Sequence, residues 1–271
     1  MPLCRADKVL IGGTAAVLGS SVVFGATTVG LGLPLCALAA TLADGIFRPA
    51  SNVFYPTVSS VQTTQRSVAL TFDDGPHPET TPRVLDLLAK YSARATFFAI
   101  GKHIEAHRKL TERIVAEGHE LANHSWHHSY WQNFQRSRAL TSDITRNADC
   151  IRSITGSEAQ PIYRAPVGLK SPELARVAHA LGLTVVAWSI HSRDTIDSDA
   201  HRIARRVLTK VRPGAIALLH DGHERSDRLR TNAVEALPFI LEGLRDRQFT
   251  SVTVSELLAS RSSNAESSAR A

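Results

Sequence analysis

Two hydropathic regimes divide the chain. From Val9 to Ala43 there is no charged residue, while Arg5 and Lys8 precede the run and Asp44 and Arg48 follow it. A helix needs about 20 apolar residues to cross a hydrocarbon core of ~30 Å, so the run is long enough to span one. Positive charge ahead of it predicts an anchor whose leading end stays in the cytoplasm, with the rest of the protein extracytoplasmic. A cleaved leader ending near Ala37-Leu38-Ala39 would instead give a secreted protein, but usual leader cores are only about 7–15 residues long. Segment 1–44 is thus expected to be a membrane anchor or signal segment. Segment 45–65, with Pro49, Pro56 and many Ser, Thr and Gln, reads as a linker.

Beyond Ser67 the pattern changes to alternation. Apolar runs of strand type lie at 68–72, 95–100, 119–123, 161–164, 183–190, 215–220 and 249–254. Between most of them are segments with helical periodicity, near 82–91, 103–117, 142–154, 172–181, 199–210 and 230–247. In the first, Val84, Leu87, Leu88 and Tyr91 share a face, and Pro82 suits a first helical turn. Pro238 is expected to kink or divide the last. Strands alternating with helices predict a parallel sheet covered by helices. The expected fold is α/β: a distorted or incomplete (β/α) barrel with about seven parallel strands, spanning residues 66–258, followed by a disordered tail at 259–271. No GxGxxG follows the first strand, which leaves dinucleotide binding without support.

Composition narrows the function classes. The chain has 271 residues, 43% hydrophobic and 21% charged, as in globular proteins. Its net charge of +6 would suit an acidic partner. The densest basic cluster, Arg202, Arg205, Arg206 and Lys210, has the spacing of a solvated helical face, and no recognition motif accompanies it, so nucleic acid is not an expected partner. No protein partner is indicated. Cys4, Cys36 and Cys150 form no CxxC, which argues against a cysteine metal site or a disulfide framework.

In a (β/α) barrel, chemistry gathers at the C-terminal ends of the strands. Five polar groups fall there. Asp73 and Asp74 end the first apolar run, just before Gly75-Pro76; one carboxylate could bind a metal while the other handles a proton. His124 and His128 have i, i+4 spacing, so on a helix their rings would share a face and grip one ion. With a carboxylate they make a His₂-Asp set that leaves room for water. His127 points elsewhere and reads as a bystander or as a residue supporting the ligands from behind. Arg164 lies in a rigid turn, Arg164-Ala165-Pro166-Val167-Gly168, where it could hold a carboxylate. Asp194 could orient a histidine. His220 ends an apolar strand, at Leu218-Leu219-His220-Asp221, where it could act as a general acid.

Together these motifs resemble the NodB-type polysaccharide deacetylases, carbohydrate esterase family 4. TFDDGP stands at 71–76, H-S-x-x-H at 124–128, R-x-P-x-G at 164–168 and L-L-H-D at 218–221. The resemblance covers about Ser67 to Leu258. It implies a distorted (β/α) barrel and a divalent metal, zinc above all, on Asp74, His124 and His128. It implies further that Asp73 takes a proton from the attacking water and that Arg164 positions Asp73. His220 protonates the departing amine with Asp194 supporting it, and the Val167 N–H receives the oxyanion. Pro166 and Leu218 are further candidate substrate contacts. The activity implied is removal of N-acetyl groups from N-acetylglucosamine polymers such as peptidoglycan or chitin-like glycans, with acetate released. An acetyl-xylan esterase or other O-deacetylase uses the same machinery. An inactive carbohydrate-binding domain is the third reading, against which stand Asp73 and His220, which a structural metal does not need. Two motifs depart from the family pattern. Val167 stands where many relatives carry an aromatic residue, and His191, Asp194 and Thr195 replace a motif that ends in Trp.

Overall fold

The computed structural model describes residues 4–24, 31–156, 161–225 and 228–269. Residues 25–30 of the apolar run and the last two residues of the expected tail lie outside this set. The central sheet is parallel, in the order β1-β6-β5-β4-β3-β2-β8-β7, with β9 also pairing with β2. Its strands are β1 (Thr57–Val58), β2 (Ser67–Asp73), β3 (Ala95–Ala99), β4 (Glu120–Asn123), β5 (Ile162–Tyr163), β6 (Thr184–Val186), β7 (Ile190–His191), β8 (Ala215–His220) and β9 (Thr250–Ser251).

The expected barrel is present, and the 183–190 run explains how it curls. That run is not one strand. β6 ends at Val186, β7 begins at Ile190, and they sit toward opposite ends of the strand order. Only residues 187–189 join them, a reach of roughly 13 Å from Val186 to Ile190 at full extension. The two ends of the sheet must therefore curl toward each other. Ala187 N–H bonds to Val58 O on one side and Ser189 N–H to Ile216 O on the other. The break comes from this change of partners, which an unbroken apolar run cannot signal.

The helices are α1 (Arg5–Phe24), α2 (Leu33–Phe47), α3 (Thr81–Lys90), α4 (Gly101–Ala106), α5 (Arg108–Ala116), α6 (Ser137–Thr155), α7 (Pro172–Ala180), α8 (Ala200–Leu208), α9 (Asn232–Asp246) and α10 (Val254–Ala269). The segment at 103–117 is two helices, interrupted at His107 (φ −123°, ψ 44°). α9 instead runs unbroken through Pro238. The main core lies between the sheet and α3, α8 and α9, around Leu70, Phe72, Phe97, Leu219, Leu237 and Ile240. A second layer, with Phe98, Ile162, Val186 and Ile216, fills the inside of the curl. β2 is buried at every position, as a central parallel strand must be.

Two segments differ from the sequence expectation. The 45–65 stretch is packed against the domain: Phe54 and Val61 are buried, and β1 pairs with β6. Lys170 fixes it, because its Nζ donates to Pro49 O (2.8 Å), Ser51 O and Thr57 Oγ1 (3.1 Å). The stretch from 259 continues α10 as far as Ala269.

Candidate active site

Strand register assembles the site. Asp73 stands opposite His220 across β2 and β8, and opposite Phe98 across β2 and β3. Asn123 stands opposite Tyr163 across β4 and β5. The residues that follow each strand, Asp74, His124 and Arg164, therefore emerge on one rim, at the C-terminal ends of the strands. Here they line or adjoin a cleft of about 220 Å³ that also contains Tyr130, Val167, Trp188, His191, Glu224 and Arg230.

Asp73 and Asp74 diverge because the chain turns between them. Asp74 has φ 72°, a left-handed conformation costly for a non-glycine residue and typical of functional turns. Packing over-determines the turn. A Cβ at Gly75 would lie 2.3 Å from Asp221 Oδ2, and one at Gly222 would lie 2.4 Å from Asp74 O. Asp221 in turn accepts from Thr81 Oγ1 at 2.5 Å. Burial pushes the Asp221 carboxyl up to about 7, with the nearby aspartates adding to the rise.

The histidine pair meets without a helix. Residues 124–128 form a loop with left-handed Ser125 (φ 68°) and His128 (φ 55°), yet the two rings come within 4.7 Å. The i, i+4 spacing points to the pair of rings that meet, for a reason that does not hold here. The loop is shaped by side chains from β4 and α6. Asn123 Oδ1 accepts from Ser125 N–H, and the Asn147 amide donates to Ala99 O and Ser125 O. Asp143 accepts from Trp126 N–H and pairs with exposed His127. His127 thus points away from the cluster, as expected.

The donor set suits a divalent cation. One ligand atom each from Asp74, His124 and His128 lies within 4.8 Å of the others, and all three residues are buried. His124 Nδ1 donates to Arg164 O at 2.9 Å, which leaves its Nε2 with a free lone pair 3.5 Å from Asp74 Oδ1. His128 Nε2 is 3.1 Å from the same oxygen, and burial depresses this ring to about 4, so it stays neutral. Burial alone would raise the Asp74 carboxyl, but the surrounding imidazoles of His124, His128 and His220 outweigh it and hold it well below the usual carboxylate range.

Asp73 is held by a different partner. Arg164 Nη1 donates to Asp73 Oδ1 at 2.6 Å and to Thr71 Oγ1 at 2.7 Å. Its Nη2 donates to Ala187 O, and its guanidinium lies 3.9 Å from the centre of the Phe98 ring. Only 1% of the Arg164 side chain is exposed, so the pair is desolvated, with both Nη atoms of Arg164 hydrogen-bonded. On the opposite side, His220 Nδ1 donates to Asp194 Oδ1 at 3.0 Å, and the His220 N–H bonds Asp194 Oδ2 at 2.8 Å. Burial opposes charge on the His220 ring, but Asp194 outweighs it and raises the group to about 9.

The Pro166–Gly168 turn places Val167 in the left-handed region (φ 49°) with its side chain exposed. The Gly168 and Leu169 N–H groups are used inside the turn. Pro166 is buried beneath it, and Leu218 lines the cleft floor.

Sequence reasoning missed Arg230, Glu224 and Tyr130. Arg230 Nη1 lies 2.8 Å from Asp74 Oδ2, the carboxylate oxygen facing away from the histidines, and Glu224 Oε1 accepts from the Tyr130 hydroxyl at 3.1 Å. No local pattern marks them; Arg230 is 156 residues from Asp74 in sequence.

Known proteins are similar to this chain over most of its length. The chain is 39% identical over 191 residues to the chitooligosaccharide deacetylase of Bradyrhizobium sp. (strain ANU 289), covering 68% of this chain and 87% of that protein. The family model for polysaccharide deacetylase matches residues 60–186. The chain belongs to the polysaccharide deacetylase family. Within this family of hydrolytic N-deacetylases it is also 37% identical over 201 residues to the peptidoglycan-N-acetylglucosamine deacetylase of Bacillus cereus, covering 73% and 91% of the two chains. The structure of the peptidoglycan deacetylase PdaC from Bacillus subtilis superposes with a TM-score of 0.68 at 30% identity, covering 78% of this chain and 98% of that one. The parallel, curled sheet is thus the NodB-type deacetylase fold.

Proposed function

We propose that this protein is a membrane-anchored, zinc-dependent hydrolase that removes N-acetyl groups from N-acetylglucosamine-containing glycans and releases acetate. One observation carries the reading. Two charged pairs, Arg164–Asp73 and Asp194–His220, stand on adjacent strands beside a buried Asp-His-His cluster. A purely structural metal needs neither pair. The names of the relatives, chitooligosaccharide and peptidoglycan deacetylases, support the same substrate class.

Asp74, His124 and His128 would hold the cation, whose contribution when bound is to polarise the acetamide carbonyl and acidify water. Asp73, held through Oδ1 by Arg164, accepts the proton of the attacking water. The Val167 N–H is the backbone donor available to the developing oxyanion. His220, protonated through Asp194, delivers a proton to the leaving amine, a step worth typically ~10²–10⁴-fold. The C–N bond breaks, and the sugar leaves as a free amine. Trp188 and His191 line the cleft where Val167 offers no ring, so sugar stacking falls to them.

The test is acetate release from N-acetylglucosamine oligomers by metal-loaded protein, with and without chelator. Release that chelation abolishes and zinc restores is the expected result. Release from acetylated xylan instead would move the assignment to an O-deacetylase, and no release from any acetylated glycan would overturn it.

A further inference from the structure

The apolar N-terminal segment is not built as a single span. α1 and α2 lie side by side, close enough that a Cβ on Gly13 would meet Leu38 Cδ1 at 2.4 Å. The start of α1 and the end of α2 meet at one place: buried Cys4 and Ala6 pack with Phe54 and Ala175, joined by Leu42 and Ile46. The two helices are therefore antiparallel. Asp7 pairs with Arg176 of α7 at 2.8 Å, and the Lys170 N–H bonds Ile46 O. Both charged ends of the segment are thus fastened to the catalytic domain.

Away from that base the helices are apolar and bare. Leu18, Val22, Val23, Leu33 and Leu35 are more than half exposed. Every charge among residues 4–48 sits at the base: Arg5, Asp7, Lys8, Asp44 and Arg48. The uncharged run of 35 residues would make a single helix of roughly 52 Å, far longer than a bilayer core. α1, with 20 residues, is roughly 30 Å long and α2, with 15, roughly 22 Å, close to the core thickness. The occupant that suits such a shaft is the hydrocarbon of a bilayer.

We infer that α1 and α2 enter the membrane together from the side of the catalytic domain, and that this side is the cytoplasm. Arg5, Lys8 and Arg48 all lie on the domain side, and the sequence between the legs carries no charge to compete with them. This is the side opposite to that given by a single span. The base also adjoins the catalytic cleft: Pro49, two residues beyond α2, packs on Gly168 beside Trp188. The inference rests on the deacetylase reading only for its substrate, which becomes an acetylated glycan intermediate present at the cytoplasmic membrane surface before export.

The test uses the full chain with its native cysteines replaced and a single exposed cysteine introduced, at Lys8→Cys for the base or Lys90→Cys for the domain. Lys109→Cys is a second domain reporter. All three positions are exposed. In spheroplasts, a membrane-impermeant maleimide is expected to label none of them until the membrane is permeabilised, and then all of them. The protein is expected to stay with membranes through an alkaline carbonate wash. Labelling of either domain position in intact spheroplasts, or recovery of the chain in the soluble fraction, overturns the inference. Acetate release from soluble oligomers by detergent-extracted protein is read separately, so a wrong topology and a wrong activity are distinguishable.

Discussion

Replacing Asp194 by Asn gives the sharpest test of how the site sets its proton donor. The carboxylate lies 3.0 Å from His220 Nδ1 and is almost completely buried. At an effective dielectric constant of about 20, unit charges at that separation attract by ~5.5 kcal/mol. That equals roughly 4 pKa units, at 1.36 kcal/mol per unit. His220 stands at about 9 with Asp194 in place. Without the charge, burial takes over and the ring falls well below its present value, so at pH 7 the proton that the leaving amine needs is largely lost.

The expected result is a loss of kcat/KM of roughly 10²-fold at pH 7 that shrinks as pH falls toward 5, with the alkaline limb moved down by several units relative to wild type. The assay is acetate release from N-acetylglucosamine oligomers between pH 5 and 10, with zinc content and melting temperature measured beside it. Asn keeps the shape of Asp and can still accept from the His220 N–H or the Ser192 hydroxyl, which both bond the carboxylate. A loss of equal size at every pH, or an alkaline limb that stays in place, would refute the electrostatic argument and leave Asp194 a packing role.

Three further outcomes follow from the geometry. Asp73→Asn should bind zinc with unchanged stoichiometry, measured by elemental analysis, while acetate release falls by ~10²–10⁴-fold; unchanged activity would remove Asp73 as the proton acceptor. Arg164→Met should cost about 3–5 kcal/mol in denaturant unfolding, because it strands the buried Asp73 charge; a cost under about 1 kcal/mol would mean that Asp73 relaxes to water or takes up a proton. Gly75→Ala should destabilise by about 1–3 kcal/mol, since the added methyl has Asp221 Oδ2 2.3 Å away, and chemical denaturation would reveal a neutral effect if that side chain can yield.

The legibility of the sequence depended on distance along the chain. Asp73-Asp74, Arg164 and His220 were readable because each follows an apolar strand, and strand ends in a (β/α) barrel converge. His124 and His128 were readable as a pair, but the helix that would have joined them is a loop held by Asn123, Asn147 and Asp143, contacts that no periodicity encodes. The 183–190 run looked like one strand because its composition is uniform, while its pairing changes from β5 and β1 to β8. Arg230 could not be read at all: it lies beyond the last motif, at the edge of a segment read only as a helix, and its part in the cleft comes from reaching Asp74.

The 45–65 segment shows most clearly how composition can mislead. Prolines and small polar residues suit a free linker, but they suit equally an extended chain that lies along a protein surface. What separates the two cases is a partner elsewhere in the chain. Lys170 supplies it, with three oxygens of the segment around one ammonium. Burial lowers this lysine to about 8, so the clamp is weakest in alkali, where the amine has lost its charge. Lys170 is two residues from Gly168, on which Pro49 packs, and four from Pro166 in the catalytic turn. One short stretch of chain after β5 therefore carries both the Val167 turn at the cleft and the contacts to the foot of the apolar helices. A domain on a free tether would sample many orientations, whereas this one is fastened at Asp7–Arg176, at Phe54 and at Lys170. The apolar helix pair is thus held in one fixed orientation relative to the cleft.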